Sequence, residues 1–326
     1  METKIKKIAI LTSGGDAPGM NNAVRAVVKQ ALANDIEPFL VYEGYKGLYY
    51  GNIVSAKNIN VDAYVSKGGT FIYSARFPEF KELKTREKAK DNLLKMGIDA
   101  LVVIGGDGSY MGAQLLHELG IKTVGLPGTI DNDITSSDFT IGYDTALNTI
   151  VDAVEKIRDT SDSHNRFLMV EVMGHGSGDL ALYSGLATGA EIIITNEQTM
   201  TKEEIAEVVK NQIYEKGKRS VIAIVSEFIY PNLKEIAAYV QEKTNVISRA
   251  MALEYIQRGG RPSAQERIWA TLMGIKAVDF LKEGKSGIAI GVTNSDVVAT
   301  PILKALQAPR KSNKAKTIKF NKLNQA

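Results

Sequence analysis

Eight short apolar, β-branched runs alternate with longer amphipathic segments along this chain, and that alternation restricts the fold more than any other feature. Residues 8–11, 39–42, 101–104, 123–126, 167–172, 192–195, 221–225 and 288–292 read as strands. Most are apolar throughout rather than alternating, which suits strands covered on both faces. Residues 20–34, 85–96, 110–119, 145–159, 202–216, 233–243 and 263–282 carry helical patterning. Thr201, ahead of Lys202-Glu203-Glu204, predicts a helix N-cap followed by acids that complement the helix dipole. Repeated βα units imply a doubly wound α/β fold with a largely parallel sheet. Eight or more strands in 326 residues exceed one compact core, so two α/β lobes sharing a cleft are expected, with function at the carboxyl ends of strands. No low-complexity linker or short internal repeat interrupts the pattern.

Composition narrows the chemistry. Cysteine is absent, which excludes disulfides, cysteine-held clusters and thiol catalysis. The three histidines, His117, His164 and His175, do not pair at metal-ligand spacing. No apolar run approaches the roughly 20 residues that span a bilayer. The start, residues 1–7, is of mixed charge and shows no signal-peptide pattern, so the cytoplasm is the expected compartment and no membrane partner is expected. The net charge of +3 hides a skew: residues 309–326 hold six basic residues and no acid, leaving the rest of the chain at −3. Basic patches with aromatic interleaving are lacking elsewhere, so this end reads as a solvated tail or subunit contact, and no nucleic-acid partner is expected.

The turns after the strands carry the chemistry. Thr12-Ser13-Gly14-Gly15-Asp16-Ala17-Pro18-Gly19-Met20-Asn21 follows the first strand, where glycines admit an anion to backbone N–H groups at a helix start. It matches neither the dinucleotide G-x-G-x-x-G nor the P-loop spacing. Gly105-Gly106-Asp107-Gly108-Ser109 repeats the arrangement with one carboxylate at the strand end, suited to Mg²⁺ beside phosphate; a simple turn or cap aspartate is the plainer alternative. Pro127-Gly128-Thr129-Ile130-Asp131-Asn132-Asp133 places two carboxylates and a hydroxyl beyond a third strand. Asp131 is the natural general base for a hydroxyl attacking phosphorus, and Thr129 suits holding the substrate or the phosphoryl group. An Asx-turn would account for either aspartate singly. Arg76, Arg166, Arg249 and Arg258 stand in turn-like contexts and supply candidate phosphate cations.

These segments together resemble the ATP-dependent 6-phosphofructokinase family of the bacterial type, from Ser13-Gly14-Gly15-Asp16 through Gly69-Thr70, Ser74-Ala75-Arg76-Phe77-Pro78-Glu79-Phe80 and Val170-Glu171-Val172-Met173-Gly174 to Gln257-Arg258-Gly259-Gly260. The resemblance implies two Rossmann-like doubly wound lobes with largely parallel sheets and an active-site cleft between them. Residues 1–142 with 257–309 would form the larger nucleotide-binding lobe, 143–256 the smaller sugar-phosphate lobe, and 310–326 a basic tail. It implies a glycolytic, allosteric kinase of the cytoplasm that moves a phosphoryl group from ATP to the 1-hydroxyl of fructose 6-phosphate. Residues matching Gly15, Tyr45, Arg76, Phe77, Gly106, Asp107, Gly108 and Ser109 would line ATP, with Asp107 associated with Mg²⁺. Asp131 would be the base, with Thr129 and Asp133 beside it, and Arg76 and His175 stand near the transferred group. Met173, Gly174, His175, Glu227, Tyr255 and Arg258 would meet the sugar phosphate, joined by Arg166 and Arg249 from a neighbouring subunit of a homotetramer. Arg25, Arg158, Glu191, Lys216 and Lys218 match an effector site for ADP or phosphoenolpyruvate. Glycine at 108 and 128, where pyrophosphate-using relatives tend to carry Asp and Lys, implies room for a nucleotide.

Four positions depart from that pattern. Asn58 stands where arginine is common and Ser220 where histidine is common, both near the effector set. His175 replaces an arginine near the transferring phosphoryl group, and Tyr255 replaces a histidine at the sugar phosphate. A histidine side chain is mostly neutral at pH 7 in water, so it replaces a guanidinium only in part. A catalytically weakened relative, with a regulatory role or an altered sugar-phosphate acceptor, is therefore the alternative. Kinases of lipids or of NAD share only the Gly-Gly-Asp-Gly turn, and the set Arg166, Glu227, Arg249 and Arg258 speaks against them.

Overall fold

The computed structural model describes residues 5–310 and 312–326; the first four residues of the mixed-charge start and Lys311 of the basic end lie outside the described residues. Twelve strands occur in the chain order β1 (Lys7–Thr12), β2 (Glu37–Val41), β3 (Ile53–Ser55), β4 (Ala100–Gly105), β5 (Lys122–Thr129), β6 (Ile141–Gly142), β7 (Arg166–Val172), β8 (Ile192–Ile194), β9 (Val221–Ser226), β10 (Ile247–Ala252), β11 (Ile288–Thr293) and β12 (Asp296–Pro301). They divide between two compact units. One comprises residues 1–130, 134–145 and 258–310, the other residues 131–133, 146–257 and 311–326.

The first unit holds one sheet of order β12-β11-β5-β4-β1-β2-β3, with β6 paired to β5. Its interior pairs are parallel, and the antiparallel pairs β2–β3 and β11–β12 lie at the two edges. Ile8 and Ile10 point to one face of β1 and Ala9 and Leu11 to the other, yet all four are fully buried. Helices cover both faces, which is why these strands read as unbroken apolar runs.

The second unit holds a four-stranded parallel sheet, β10-β7-β9-β8. Phe167 and Met169 of β7 pack with Ile192, Ile194, Val221, Ala223 and Val225 in its core. Thr201 caps the helix Lys202–Lys210 in a full capping box: its Oγ1 accepts from Glu204 N at 3.2 Å and Glu204 Oε2 accepts from Thr201 N at 2.7 Å. The basic end is not simply a solvated tail. It forms the helix Lys314–Asn324, whose Asn321 side chain bonds both Ile193 N at 2.7 Å and Ile193 O at 2.8 Å. That amide satisfies the open edge of β8, a position that would otherwise invite pairing with another chain.

Candidate active site

In the first unit β5, β4 and β1 are adjacent and parallel, so their carboxyl ends share one sheet edge, and the three glycine-rich turns leave from there. The first two turns are tied together. Ser13 N donates to Ile104 O at 3.0 Å, and Ser109 Oγ donates to Ser13 O at 3.2 Å. Gly105 lies between them, where a Cβ would stand 2.4 Å from Ser109 Oγ and 2.5 Å from Ser13 O. The loop that carries Arg76 closes on the same turn: Ser74 Oγ donates to Gly14 O at 2.7 Å. Thr12 Oγ1 donates to Tyr73 O at 2.8 Å, so in its 2.9 Å contact with Thr70 Oγ1 it accepts.

Beyond β4 the helix Asp107–Glu118 starts with Asp107 exposed in its first turn. Nothing lies within 4 Å of a Cβ built on Gly106 or Gly108, so no protein atom requires glycine there and the space over the helix start is open. Gly128 differs: a Cβ would stand 2.9 Å from both Ile104 Cγ2 and Met20 Cε, so packing accounts for this glycine without a ligand. Tyr45 is buried, its ring stacked on Phe80 at 4.1 Å and its hydroxyl donating to Ser109 O at 2.6 Å. Burial pushes its phenol well above the usual range. It therefore braces the turn rather than offering a free donor. Phe77 is half-buried against the same core, and Arg76 is exposed. Arg258 also belongs to this unit. Its guanidinium lies against Gly15, where a Cβ would meet Nη1 at 2.5 Å, and Nη1 approaches Asp16 O at 3.5 Å. No group of three or more His, Asp or Glu side chains among the described residues suits a metal ion. One exposed carboxylate beside open space at a helix start fits Mg²⁺ carried by a phosphate, since that ion keeps waters and takes few protein ligands.

The third turn begins at the end of β5. Thr129 pairs with Gly142 of β6, and Thr140 Oγ1 donates to Thr129 O at 2.8 Å. Asp131, Asn132 and Asp133 are half-buried and belong to the second unit. There Asn132 Nδ2 donates to Asp179 Oδ2 at 2.9 Å, and Asn313 Nδ2 donates to Asp179 Oδ1 at 2.6 Å.

In the second unit the end of β7 forms the other half of the candidate set. Gly174 N and His175 N both donate to Glu227 Oε1, at 3.1 and 2.7 Å, and Met173 N donates to Gln257 Oε1 at 3.0 Å. Glu227 N in turn donates to Val172 O at 2.9 Å. His175 has φ 52°, in the left-handed region, and is exposed. Burial first, then the charges of Glu227 and Glu254, raises the Glu171 carboxyl. Tyr255 is 78% exposed. Met173, Gly174, His175 and Glu227 are thus together, but Arg166 and Arg249 are not with them. Arg166 opens β7 and Met173 follows its end, and seven strand residues span about 20 Å. Arg249 pairs with Leu168 near the same opening end. The Arg166 guanidinium Nε is buried with no acceptor among the described residues.

The effector candidates separate as well. Arg25 of the first unit donates to Asp62, which Lys29 also engages at 2.6 Å. Those two cations lower the Asp62 carboxyl. In the second unit Glu191 is buried between Arg158 at 3.3 Å and Lys218 at 3.2 Å, and it accepts from Ile222 N at 2.8 Å. Lys218 also donates to Asn324 O at 3.3 Å, and Lys216 to Ala326 O at 3.0 Å and to Gln325 O. The chain's own last helix therefore engages these lysines. Ser220 is buried and donates to Asp162.

Sequence reasoning passed over Glu266, which is fully buried among these turns. Ser263 three residues before it is the available signal, since S-x-x-E marks a helix start, and Ser263 Oγ does accept from Glu266 N at 3.1 Å. Comparison with known proteins agrees with the geometry. A family model described as phosphofructokinase matches residues 7–281. The chain is 61% identical over 325 residues to the ATP-dependent 6-phosphofructokinase of Mycoplasmopsis pulmonis, covering 99% of this chain and 100% of that protein. It is 50% identical over 303 residues to the enzyme of the same name from Photobacterium profundum, covering 93% and 94%. Among solved structures, phosphofructokinase from Saccharomyces cerevisiae superimposes with a TM-score of 0.86 at 34% identity over 98% of this chain; this chain spans 47% of that one. A pyrophosphate-dependent phosphofructokinase from Marinobacter aquaeolei shares the fold at 20% identity and a TM-score of 0.81, over 92% and 84% of the two chains. With its motifs, its strand-end turns and these relatives in agreement, the chain belongs to the phosphofructokinase family.

Proposed function

We propose that three strand-end turns and the end of β7 carry the ATP-dependent 6-phosphofructokinase reaction in this chain. The activity is transfer of the γ-phosphoryl group of ATP to the 1-hydroxyl of D-fructose 6-phosphate, giving fructose 1,6-bisphosphate and ADP, a step of glycolysis. The observation that carries the assignment is the adjacency of β5, β4 and β1, which gathers turns 13–19 and 105–109 and the start of the third turn, 127–130, at one sheet edge. Backbone N–H groups at the helix start beyond Gly106 receive phosphate oxygens, and the open space at Gly108 admits the nucleotide. Arg76 supplies a fixed cation beside it. Asp107 is the residue that would hold Mg²⁺, which when bound neutralises developing phosphate charge. Asp131 takes the proton of the attacking hydroxyl, and Thr129 and Asp133 orient the acceptor. In this reading Glu227 and the backbone of 173–175 are assigned to the sugar, and His175 to the transferred group.

Replacing Asp131 by Ala tests the core of this reading. A coupled assay should show kcat lower by about 10³-fold, within the range of a lost general base, while ADP still binds. A near wild-type rate would remove Asp131 as the base.

A homotetramer with shared sites is the proposed active form, and the cytoplasm, where these substrates occur, is the proposed compartment. The support is that Arg166 and Arg249 sit at the opening end of β7 and Met173 beyond its far end, a separation no arginine side chain spans. Exposed apolar side chains point the same way: Phe228, 77% exposed, and Met251 line a cavity of about 750 Å³ in the second unit. Mixing inactive Arg166→Ala and Asp131→Ala chains should restore partial activity through hybrid sites. No recovery after verified subunit exchange would place each site within one chain. ADP or phosphoenolpyruvate at the Arg158–Glu191–Lys218 cluster is the proposed effector chemistry, and loss of effector response in Lys218→Ala tests it. None of the described helices is long and apolar enough to cross a membrane.

A further inference from the structure

Glu266 lies in the first turn of the helix Ala264–Lys282, fully buried and outside every residue set assigned above. Its Oε1 accepts from Gly142 N at 2.7 Å, and its Oε2 accepts from Thr145 N and Thr145 Oγ1, each at 3.1 Å. Its stem presses on the first turn: a Cβ at Gly19 would stand 2.7 Å from Glu266 Cγ. Gly142 is confined in turn, since a Cβ there would meet Ala17 at 2.5 Å and Ile130 at 3.1 Å. Gly142 is also the residue of β6 that pairs with Thr129. One side chain thus links the turn after β1, the strand β6 and, through β6, the end of β5.

We propose that Glu266 is a positioning residue for phosphoryl transfer: its carboxyl holds β6 against the turn after β1 and so fixes Thr129, two residues before the base Asp131. The inference rests on the assignment of Thr129 and Asp131 above. A merely space-filling role is a poor account of a buried carboxyl that accepts three hydrogen bonds, because apolar residues fill space without desolvating a polar group. The link to β6 does not depend on charge. Oε1 accepts from Gly142 N whether the group is ionised or carries its proton on Oε2, where that proton can turn to Thr145 Oγ1. Burial, aided by the neighbouring charge of Asp144, pushes the group up to about 8, against the three donors that favour its ionised form. Ser263 Oγ donates to that same Asp144.

The test is a series at this position, with kcat expressed per nucleotide-binding site from ADP titration. E266Q keeps a carbonyl oxygen for Gly142 N and should lose at most threefold. E266D withdraws the carboxyl by one methylene and should lose about tenfold. E266M fills the volume with no acceptor and should lose 30-fold or more. ADP affinity should stay within threefold throughout, because Ser13, Ser109 and Tyr45 brace the nucleotide turn independently. If E266M does not fold, the contrast between E266Q and E266D decides. A kcat per site equal to wild type in E266D, or a loss matched by ADP affinity, would overturn the inference. An active Asp131→Ala enzyme would instead remove the reading beneath it, so the two failures are distinguishable.

Discussion

The turns of the first unit and the turn after β7 in the second, to which related tasks are assigned above, stand on very different supports. Around Ser13, Gly105 and Ser109 the backbone is fixed several times over, by Ser109 Oγ, Ser74 Oγ, Tyr45 Oη and the main chain of Ile104. After β7, Gly174 N and His175 N depend on one carboxylate oxygen of Glu227. Glu227 is also the side chain assigned to the sugar. On the proposed assignment the nucleotide side is preorganised several times over by the protein, whereas on the sugar side the assigned ligand-binding carboxylate also holds its own backbone through one oxygen. A preorganised phosphate cradle costs little reorganisation on binding, which is where charge stabilisation is most effective.

The largest expected effect that probes this contrast is on stability, through Glu266. Its folded-state value of about 8 lies above the usual 4.5, so folded protein holds a proton that unfolded chain releases over that interval. Its contribution is fully present below about 4.5 and is lost as pH rises to about 8. The difference is of order 5 kcal/mol at about 1.4 kcal/mol per unit. Denaturation of wild type and E266Q between pH 5 and 9 should show a decline in wild type that the variant lacks. Parallel curves would mean that the three donors keep Glu266 ionised, and that the first unit is braced by a carboxylate instead of an acid.

Next comes a pair of glycines three residues apart. Gly105→Ala forces a Cβ onto Ser109 Oγ and Ser13 O, and should cost about 1–3 kcal/mol, as overpacked sites do. Gly108→Ala meets nothing in the protein, so its melting temperature should hold while the KM for ATP rises. If both variants melt alike and bind ATP alike, the distinction between braced and open positions in the nucleotide turn is lost.

These positions also show what could be read in advance. The eight interior or covered strands were legible because burial on both faces leaves an uninterrupted apolar run; β8 is an edge, but Asn321 and its helix cover it. The missed strands β3, β10 and β12 are sheet edges, and β6 is two residues long. At β10 the sequence Ile-Ser-Arg-Ala-Met-Ala carries side chains that are mostly exposed, and no period marks it. Asp107, Thr129 and Asp131 stand out as candidates because each follows a strand within a glycine-rich turn. The role of Glu266 does not stand out, since S-x-x-E marks only a helix start and its partners Gly142 and Thr145 lie more than 120 residues away. At Gly128 packing against Ile104 and Met20 adds a steric reason, invisible in the sequence, to the room for a nucleotide that the resemblance implies.

The smallest effect is the sharpest test of the second unit. In Glu227→Gln the side-chain carbonyl can still accept from Gly174 N and His175 N, so the turn after β7 keeps its support. The charge is lost, and the other oxygen becomes a donor that cannot accept from a sugar hydroxyl. The KM for fructose 6-phosphate should therefore rise about tenfold, near the 1.4 kcal/mol expected of one charge-assisted hydrogen bond. The KM for ATP should not move. In Glu227→Ala both roles go together, so kcat should fall as well, because His175 loses its backbone partner. If the Gln variant already shows that fall, the backbone contact needs the carboxylate itself, and the sugar-side turn is held by charge alone. If instead the KM for ATP rises with the KM for sugar, the nucleotide cradle is not independent of this turn, and the multiple ties around Ser13 and Ser109 do not isolate it.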